Sequence, residues 1–296
     1  MPDFLHKAII DVVLTTPTVG ADILFALGVV LIFRASRVLN LAHGAMAMLP
    51  AYVAYSVAQV AGVVPGFLAA LVVGAGLGLV VERGVVRRLR SAPVISQTVG
   101  TVGVLGMLIA LAVRLWGTTP RTEPSIFPTH SYKVGQVHLT LGDIGLFVVA
   151  LVLAGLLLAL FRFTDLGLDM RCAAENRRAA RLMGIDPDRT TMIAWVFAGL
   201  LAAMGGVLLA SSTVLHPYTL SLQVLPAFVA ALIGGLDSIE GAVLGSLIVG
   251  LTIGIVPSLG GIGSQTGAPE VGLAVLGFVV MALRGRRFSV AGTGGT

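Results

Sequence analysis

Charge is scarce in this chain: 11% of its 296 residues are Asp, Glu, Lys or Arg, where soluble domains carry about 25%. With a mean hydropathy of +0.99, that deficit excludes a single water-soluble core. Lysine occurs only at Lys7 and Lys133, and no Gly-x-x-x-x-Gly-Lys-Ser/Thr loop is present. The chain therefore lacks that means of holding nucleotide phosphates, and no cofactor is expected in it. Its single cysteine, Cys172, excludes an internal disulfide. The histidines are scattered at His6, His43, His130, His138 and His216. They offer neither zinc-ligand spacing nor a Cys/His nucleophilic pair, and no Ser/His/Asp constellation emerges. No catalytic residue and no metal site is expected. The first sixteen residues lack a basic start, a continuous apolar stretch and a small-residue cleavage site, so no signal peptide is expected either. An interfacial helix carrying Phe4, Ile9, Ile10 and Val13 is the expectation there.

What the chain has instead is apolar length. Runs near the ~20 residues that cross a bilayer lie at roughly 18–33, 41–60, 63–82, 98–116, 142–161, 191–212, 220–236, 240–257 and 269–283. The fold expected is an all-α polytopic transmembrane bundle of eight or nine spans. It forms one domain over 1–296, with a cytoplasmic segment at 164–190 and a disordered tail at 285–296. Arginine crowds Arg34 to Arg37, Arg83 to Arg90, Arg162 to Arg189 and the tail at Arg284, Arg286 and Arg287. The positive-inside rule makes all four cytoplasmic. Parity then requires the run around Pro226 to span, and with nine spans the N-terminus lies outside. A sequence pI near 10.0 reflects these membrane-flanking arginines and no nucleic-acid face. The longest external connection, Gly117 to Thr140, carries Pro120, Pro124 and Pro128, then an alternating stretch expected to form a hairpin turning at Gly135.

The segment from Thr164 to Asp186 is a charged, helix-forming island. Burying its charges in hydrocarbon would cost several kcal/mol each, so water or a soluble partner must meet it. Asp169 can cap a helix running through Arg171, Glu175, Arg178 and Leu182 that ends at Gly184, and Asp186-Pro187 restarts one. Arg171 with Glu175 and Glu175 with Arg178 stand at helical-neighbour spacing. Ala179, Leu182 and Met183 form an apolar stripe suited to the membrane-side helices or a partner. A docking helix is one reading; a positive-inside loop that happens to be helical is the other.

Elsewhere, Asn40, His43 and Gly44 sit at a helix start that either lines a path or satisfies unwound backbone. With Asn40 as a cap, nearby amides favour a carboxylate in transit. Asp22 and Glu270 are read as solvated groups at the outer interface. Asp237 and Glu240 belong to a cytoplasmic turn, for solvation or partner contact. Gly241 with Gly245 and Gly250 with Gly254 lie on opposite faces of one helix, which implies close neighbours on both sides and a central span. Gly74, Gly78, Gly100, Gly103 and Gly106 are expected to allow similar approach.

Four separate elements carry a family resemblance. The string Thr164-Asp-Leu-Gly167, Met170-Arg-Cys-Ala-Ala-Glu-Asn176, Ala180-Arg-Leu-Met-Gly-Ile-Asp186, Asp188-Arg189 is followed by Pro217 and by Ala231-Leu-Ile-Gly-Gly-Leu-Asp-Ser-Ile-Glu-Gly-Ala242. Asn40-Leu-Ala-His-Gly44 and Thr101-Val-Gly103 stand nearer the start. Together they resemble the inner-membrane permease of branched-chain amino acid ABC importers over about residues 18–285. The chain departs from the family pattern at Ala45, often acidic there, and at Glu240, commonly Pro.

The resemblance implies that the helix from Arg171 to Ile185 seats in a groove of a separate ATPase subunit. Arg171, Glu175, Asn176, Arg177, Arg178, Arg181, Gly184 and Ile185 would make that contact, and Thr101 joins Asn40, His43 and Gly44 along the substrate path. ATP would be used by the partner subunits. Further partners implied are a second permease, identical or different, an external substrate-binding protein and the lipid of a prokaryotic inner membrane, with no nucleic acid. A urea or short-amide permease of the same family, and an ion-coupled secondary carrier using Asp22 and His43, are the alternatives; a membrane-embedded enzyme lacks a catalytic cluster.

Overall fold

A computed structural model describes residues 10–11, 14–124, 131–134, 137–259, 265 and 267–290. The first transmembrane helices are α1 (Thr16–Ser36), α2 (His43–Ala61), α3 (Val63–Val81, continued by a π turn over Glu82–Val86) and α4 (Val94–Trp116). A small antiparallel hairpin follows, β1 (Ser131–Val134) against β2 (Val137–Thr140), in the register Ser131 opposite Thr140. Then come α5 (Leu141–Phe163), two short helices α6 (Asp165–Glu175) and α7 (Arg177–Leu182), and α8 (Pro187–Ser212). A broken pair, α9 (Pro217–Leu222) and α10 (Val224–Gly234), precedes α11 (Ile239–Ile255) and α12 (Ala268–Val290).

Among the described residues, eight helical stretches are long and apolar enough to cross a bilayer, and α12 contributes a shorter apolar helix over Ala268–Ala282. The all-α membrane bundle and the run around Pro226 stand as the sequence predicts. Of the expected interfacial helix only Ile10 and Asp11 are described, and the hairpin's turn at Gly135 lies outside the described residues. The last helix continues to Val290; the rest of the expected tail lies outside the described residues.

Contacts between distant loops show which connections lie together at one end of the bundle. Arg37, just past α1, meets the Asp237 carboxylate at 2.7 Å in the turn between α10 and α11. Arg87 and Arg90 reach Asp188 at the start of α8. These arginine-rich connections therefore share one face. On the other face Arg121 and Leu215 exchange backbone hydrogen bonds at 3.1 and 2.9 Å, and Ser212 donates to Asp143 at 3.0 Å. Asp143 also completes a capping box with Thr140 that starts α5 directly from the hairpin.

In lipid, helices gain little from leaving a medium as apolar as their own side chains, so close backbone packing decides their arrangement. A Cβ at Gly78 would strike the Trp195 carbonyl of α8, and one at Gly199 the Gly74 carbonyl of α3. Gly241 and Gly245 press on Gly234 and Ala230 of α10, while Gly250 meets Val19 of α1. The two faces of α11 therefore both find neighbours. The central span is nevertheless α1, buried from Val19 through Ile32, because α2, α5, α8, α10 and α11 surround it. This corrects the expectation for α11, which keeps an exposed edge at Leu244, Ile248 and Leu251. Gly103 and Gly106 also differ from expectation: nothing lies within 4 Å of a Cβ there, since that side of α4 faces outward.

Two measurements test this packing. Gly78→Leu is expected to cost about 1–3 kcal/mol by overpacking the α3–α8 contact and to lower the melting temperature in detergent, whereas Gly103→Leu leaves it unchanged. Burial also pushes the Glu123 carboxyl on the external loop from 4.5 up to about 8. The folded chain then keeps a proton that the unfolded chain has released, so stability falls as pH rises from about 4.5 to about 8. In Glu123→Gln, thermal scans across that range should show a smaller decline.

Candidate functional site

The cytoplasmic segment between α5 and α8 is built by short polar side chains that hydrogen-bond nearby backbone. Thr164 starts α6, its hydroxyl accepting the Gly167 amide at 3.3 Å. Asn176 then takes up extended backbone, φ −149° and ψ 100°, and its side chain accepts the amides of Arg178 and Ala179, both at 3.0 Å. The uninterrupted helix expected from Arg171 to Ile185, capped by Asp169, is thus corrected to two helices bent at Asn176. Gly184 ends α7 at a φ of +82°. Asp186 accepts the amides of Asp188 and Arg189 at 2.9 and 3.3 Å, with Pro187 in the first turn of α8. Those two amides hold the Asp186 carboxyl below its usual range.

Burial separates the residues of this segment by role. Met170, Ala173 and Ala180 face the bundle and are buried. Arg171, Glu175, Asn176, Arg178, Arg181 and Gly184 are exposed, and Ile185 is half-buried. Leu182 is 85% exposed and Met183 64%, so the expected stripe turns away from the membrane helices. The pairings expected for Glu175 do not form: Arg171 instead donates to the Gly167 carbonyl at 3.3 Å.

Arg177 points the other way, into a network centred on Asp188. The Asp188 carboxylate receives Arg90 and Arg177 directly, with Arg87 and Arg181 each at 3.7 Å. Arg90 also reaches Glu82 at 3.2 Å, and that side chain is fully buried at the π turn of α3. Partial burial, then the neighbouring Arg90 charge, push the Arg177 guanidinium down. Two carboxylates thus tie four guanidinium groups from two loops, linking the segment to the ends of α3 and α8. Sequence reasoning missed Asp188, Glu82 and Arg90. Asp188 was legible only as part of the family string and Arg90 only as one of the crowded arginines, because the two lie 98 residues apart and no local pattern pairs them.

The second polar region is the stretch 38–42, where irregular backbone lies inside the bundle. Asn40 is 1% exposed, His43 and Thr101 are fully buried, and Gly44 is buried with them. The helix cap differs from expectation by two residues: Ala42 stands at the cap of α2, and Asn40 makes the turn before it. The Asn40 side chain accepts the Ala42 amide at 3.1 Å, and its carbonyl accepts the His43 amide at 3.2 Å. Thr101 on α4 accepts the Leu41 amide at 3.0 Å. These bonds satisfy unwound backbone at membrane depth, as hydrocarbon requires. The His43 ring fills the space opposite Gly28 and meets Phe25 edge-on at 6.3 Å, while Gly44 abuts the Ser221 carbonyl of α9. In this conformation the four residues are together and closed off from solvent.

Asp22 also departs from expectation. It is fully buried within α1, with Oδ1 accepting Gln223 Nε2 at 3.4 Å across the break between α9 and α10. Solvation at the outer interface is excluded by the helices wrapped around α1. Glu270 is exposed as expected, and Asp237 is engaged by Arg37. Among the described residues no group of three or more His, Cys, Asp or Glu side chains is placed to hold a metal.

Comparison with known proteins follows the same lines. The sequence model of the family described as branched-chain amino acid transport system / permease component matches residues 13–283. The chain is 30% identical over 240 residues to the probable branched-chain amino acid transport permease protein LivH of Methanocaldococcus jannaschii, covering 78% of this chain and 75% of that one. It is 29% identical over 245 residues to LivH of the high-affinity system of Escherichia coli K12, covering 77% and 79%. To BraD of Pseudomonas aeruginosa the identity is 30% over 271 residues, covering 85% and 86%.

The Asp188 network carries its own test. Asp188→Ala leaves Arg90 and Arg177 adjacent without their shared carboxylate, at a cost of about 1–3 kcal/mol. Trypsin added to inside-out vesicles should then cleave within residues 164–189 several-fold faster than in the parent; an unchanged rate would show that the network does not hold the segment.

Proposed function

The chain belongs to the branched-chain amino acid transport system permease family, and from that premise we propose that it forms the membrane pathway through which an ATP-binding cassette importer brings branched-chain or related small amino acids into the cytoplasm. It is a multi-pass protein of the inner membrane. Separate ATPase subunits supply the energy, an external binding protein delivers the cargo, and a second permease, identical or different, completes the path.

The observation that carries this reading is the exposed apolar tip at Leu182 and Met183, flanked by the exposed Arg178 and Arg181, on the cytoplasmic face. Water gains nothing from such a tip, and a soluble partner with an apolar, acid-rimmed groove covers it. Arg171, Glu175, Asn176 and Gly184 lie on the same outward side, with Ile185 half-covered beneath them. Arg177 supports the contact from behind through Asp188. ATP binding that closes the paired ATPases displaces this tip, and the network passes the displacement to α3 and α8. The coupling is a population shift between two packings, powered by different binding to each. Asn40, His43, Gly44 and Thr101 then form the closed inner part of the path, which opens when α2 and α9 separate.

A second reading, an ion-coupled carrier, draws on the buried Asp22 and His43. It requires uptake driven by a proton gradient in the absence of any ATPase.

Replacing both Leu182 and Met183 by Asp tests the coupling. Uptake of labelled leucine by cells carrying the complete transporter should fall at least about tenfold, the order for losing one interface anchor, with the protein still present in the membrane. Full-rate uptake in this variant, or in cells without the partner ATPases, would remove the proposal.

A further inference from the structure

On the external half of the bundle, a cavity of about 770 Å³ opens between α1, the broken α9–α10 pair, α11 and α12. Its size falls within the ~300–1,000 Å³ of small-molecule sites. Phe228, Ile253 and Leu273 form apolar wall, whereas the polar side chains are few: Thr18, Tyr218, Thr219, Gln223 and Glu270. No basic side chain lines it among the described residues. Glu270 stands in the first turn of α12 at the outer mouth, and Gln223 occupies the break in the helix at the inner end.

Behind Gln223 lies a second carboxyl. The Gln223 amide donates to Asp22 Oδ1 at 3.4 Å, while Asp22 Oδ2, buried, has no hydrogen-bond partner among the described residues. An acid inside a membrane bundle is costly and persists where it serves a path or a ligand. The side chain that hydrogen-bonds to it here, Gln223, also lines the cavity. The space is thus apolar in shape and acidic in field, with a carboxylate at its mouth and a carboxyl-backed amide at its floor.

We propose that this cavity is an external binding site for a small apolar molecule bearing an ammonium group, held by Glu270 at the mouth and by Gln223 with Asp22 behind it. This deepens the function proposed above, on which it rests, because it selects among small cargoes by charge. A neutral amide such as urea gains nothing from Glu270. An aliphatic carboxylate without an amine is repelled. A branched amino acid places its side chain against Phe228 and Leu273 and its ammonium toward Glu270, with the Thr219 hydroxyl left to its own carboxylate.

Thiol labelling reads the site directly, because the reaction itself consumes no nucleotide. With Cys172 replaced by Ser, the chain has no native thiol, and Thr219→Cys, at an exposed position in the wall, places one in the cavity. Cells carrying the complete transporter are treated from outside with membrane-impermeant methanethiosulfonates, one cationic and one anionic, their rates normalised to free cysteine. The cationic reagent should react at least about fivefold faster, the order expected of one carboxylate acting over a few ångströms in partly aqueous surroundings, and Glu270→Gln should abolish the preference. Millimolar leucine should slow labelling several-fold, and 4-methylpentanoate, the same skeleton without the amine, should not. Equal rates for the two reagents, a preference that survives Glu270→Gln, or equal protection by the two compounds overturns the inference. Because labelling does not need nucleotide, charge-blind labelling alongside ATP-driven leucine uptake would remove this site while leaving the importer reading intact. Charge-selective labelling alongside ATP-independent uptake would do the reverse.

Discussion

Hydrocarbon offers no hydrogen-bond partner, so every irregular stretch of backbone at membrane depth must be satisfied by protein. The structure depends on how two such stretches are housed. Residues 38–42 are held by the Asn40 side chain and by Thr101 of α4. The break at Gln223 sits beside them in space, with Ser221 against Gly44. Both interruptions face the central helix α1, whose Gly28 and Asp22 accommodate the His43 ring and the Gln223 amide respectively. Two discontinuous helices thereby meet at one buried locus, where a bundle of uninterrupted helices would have presented only side chains.

The cytoplasmic face solves a different problem. The arginines crowded there must avoid repelling one another, and Asp188 and Glu82 gather those of the α3–α4 connection and of the segment between α5 and α8 into a compact network. Its members are partly covered and share partners, which makes it worth more than the isolated, exposed Arg37–Asp237 pair. The consequence is mechanical. On the proposed function, a displacement imposed on α7 would reach α3 and α8 through this network, and α8 packs along α1, α2 and α3 at the heart of the bundle. The exposed tip and the helices proposed to respond to it are joined by charge at the bundle's end and by glycine contacts within it.

Much of this was legible in the residues. Hydropathy located the spans, arginine distribution set their orientation, and the order of Asn40-Leu-Ala-His-Gly44, the charged island and the Gly-rich turn near Gly235 carried the family likeness. Turn chemistry was partly legible: Gly184 and Asp186-Pro187 act as expected, while the break at Asn176 was read through as continuous helix. The reason is that Asn tolerates a helix interior and caps a new helix equally well, and only the surrounding packing chooses. Gly103 and Gly106 show the same ambiguity, since a glycine suited to close packing acquires a neighbour only if another helix arrives.

By itself the sequence determined the class, the span positions, which connections carry the arginines and the family, because hydrophobic length, charge asymmetry and local motif order are properties of neighbouring residues and of their solvent. Tertiary structure alone decided which span is central, that Asp22 is buried beside Gln223 201 residues away, that Asp188 gathers arginines from two loops, and that Leu182 and Met183 point outward. Those outcomes depend on which helix faces which. Between helices in lipid that choice rests on close packing and a few polar contacts, summed over partners far apart in the chain, and no local pattern records them.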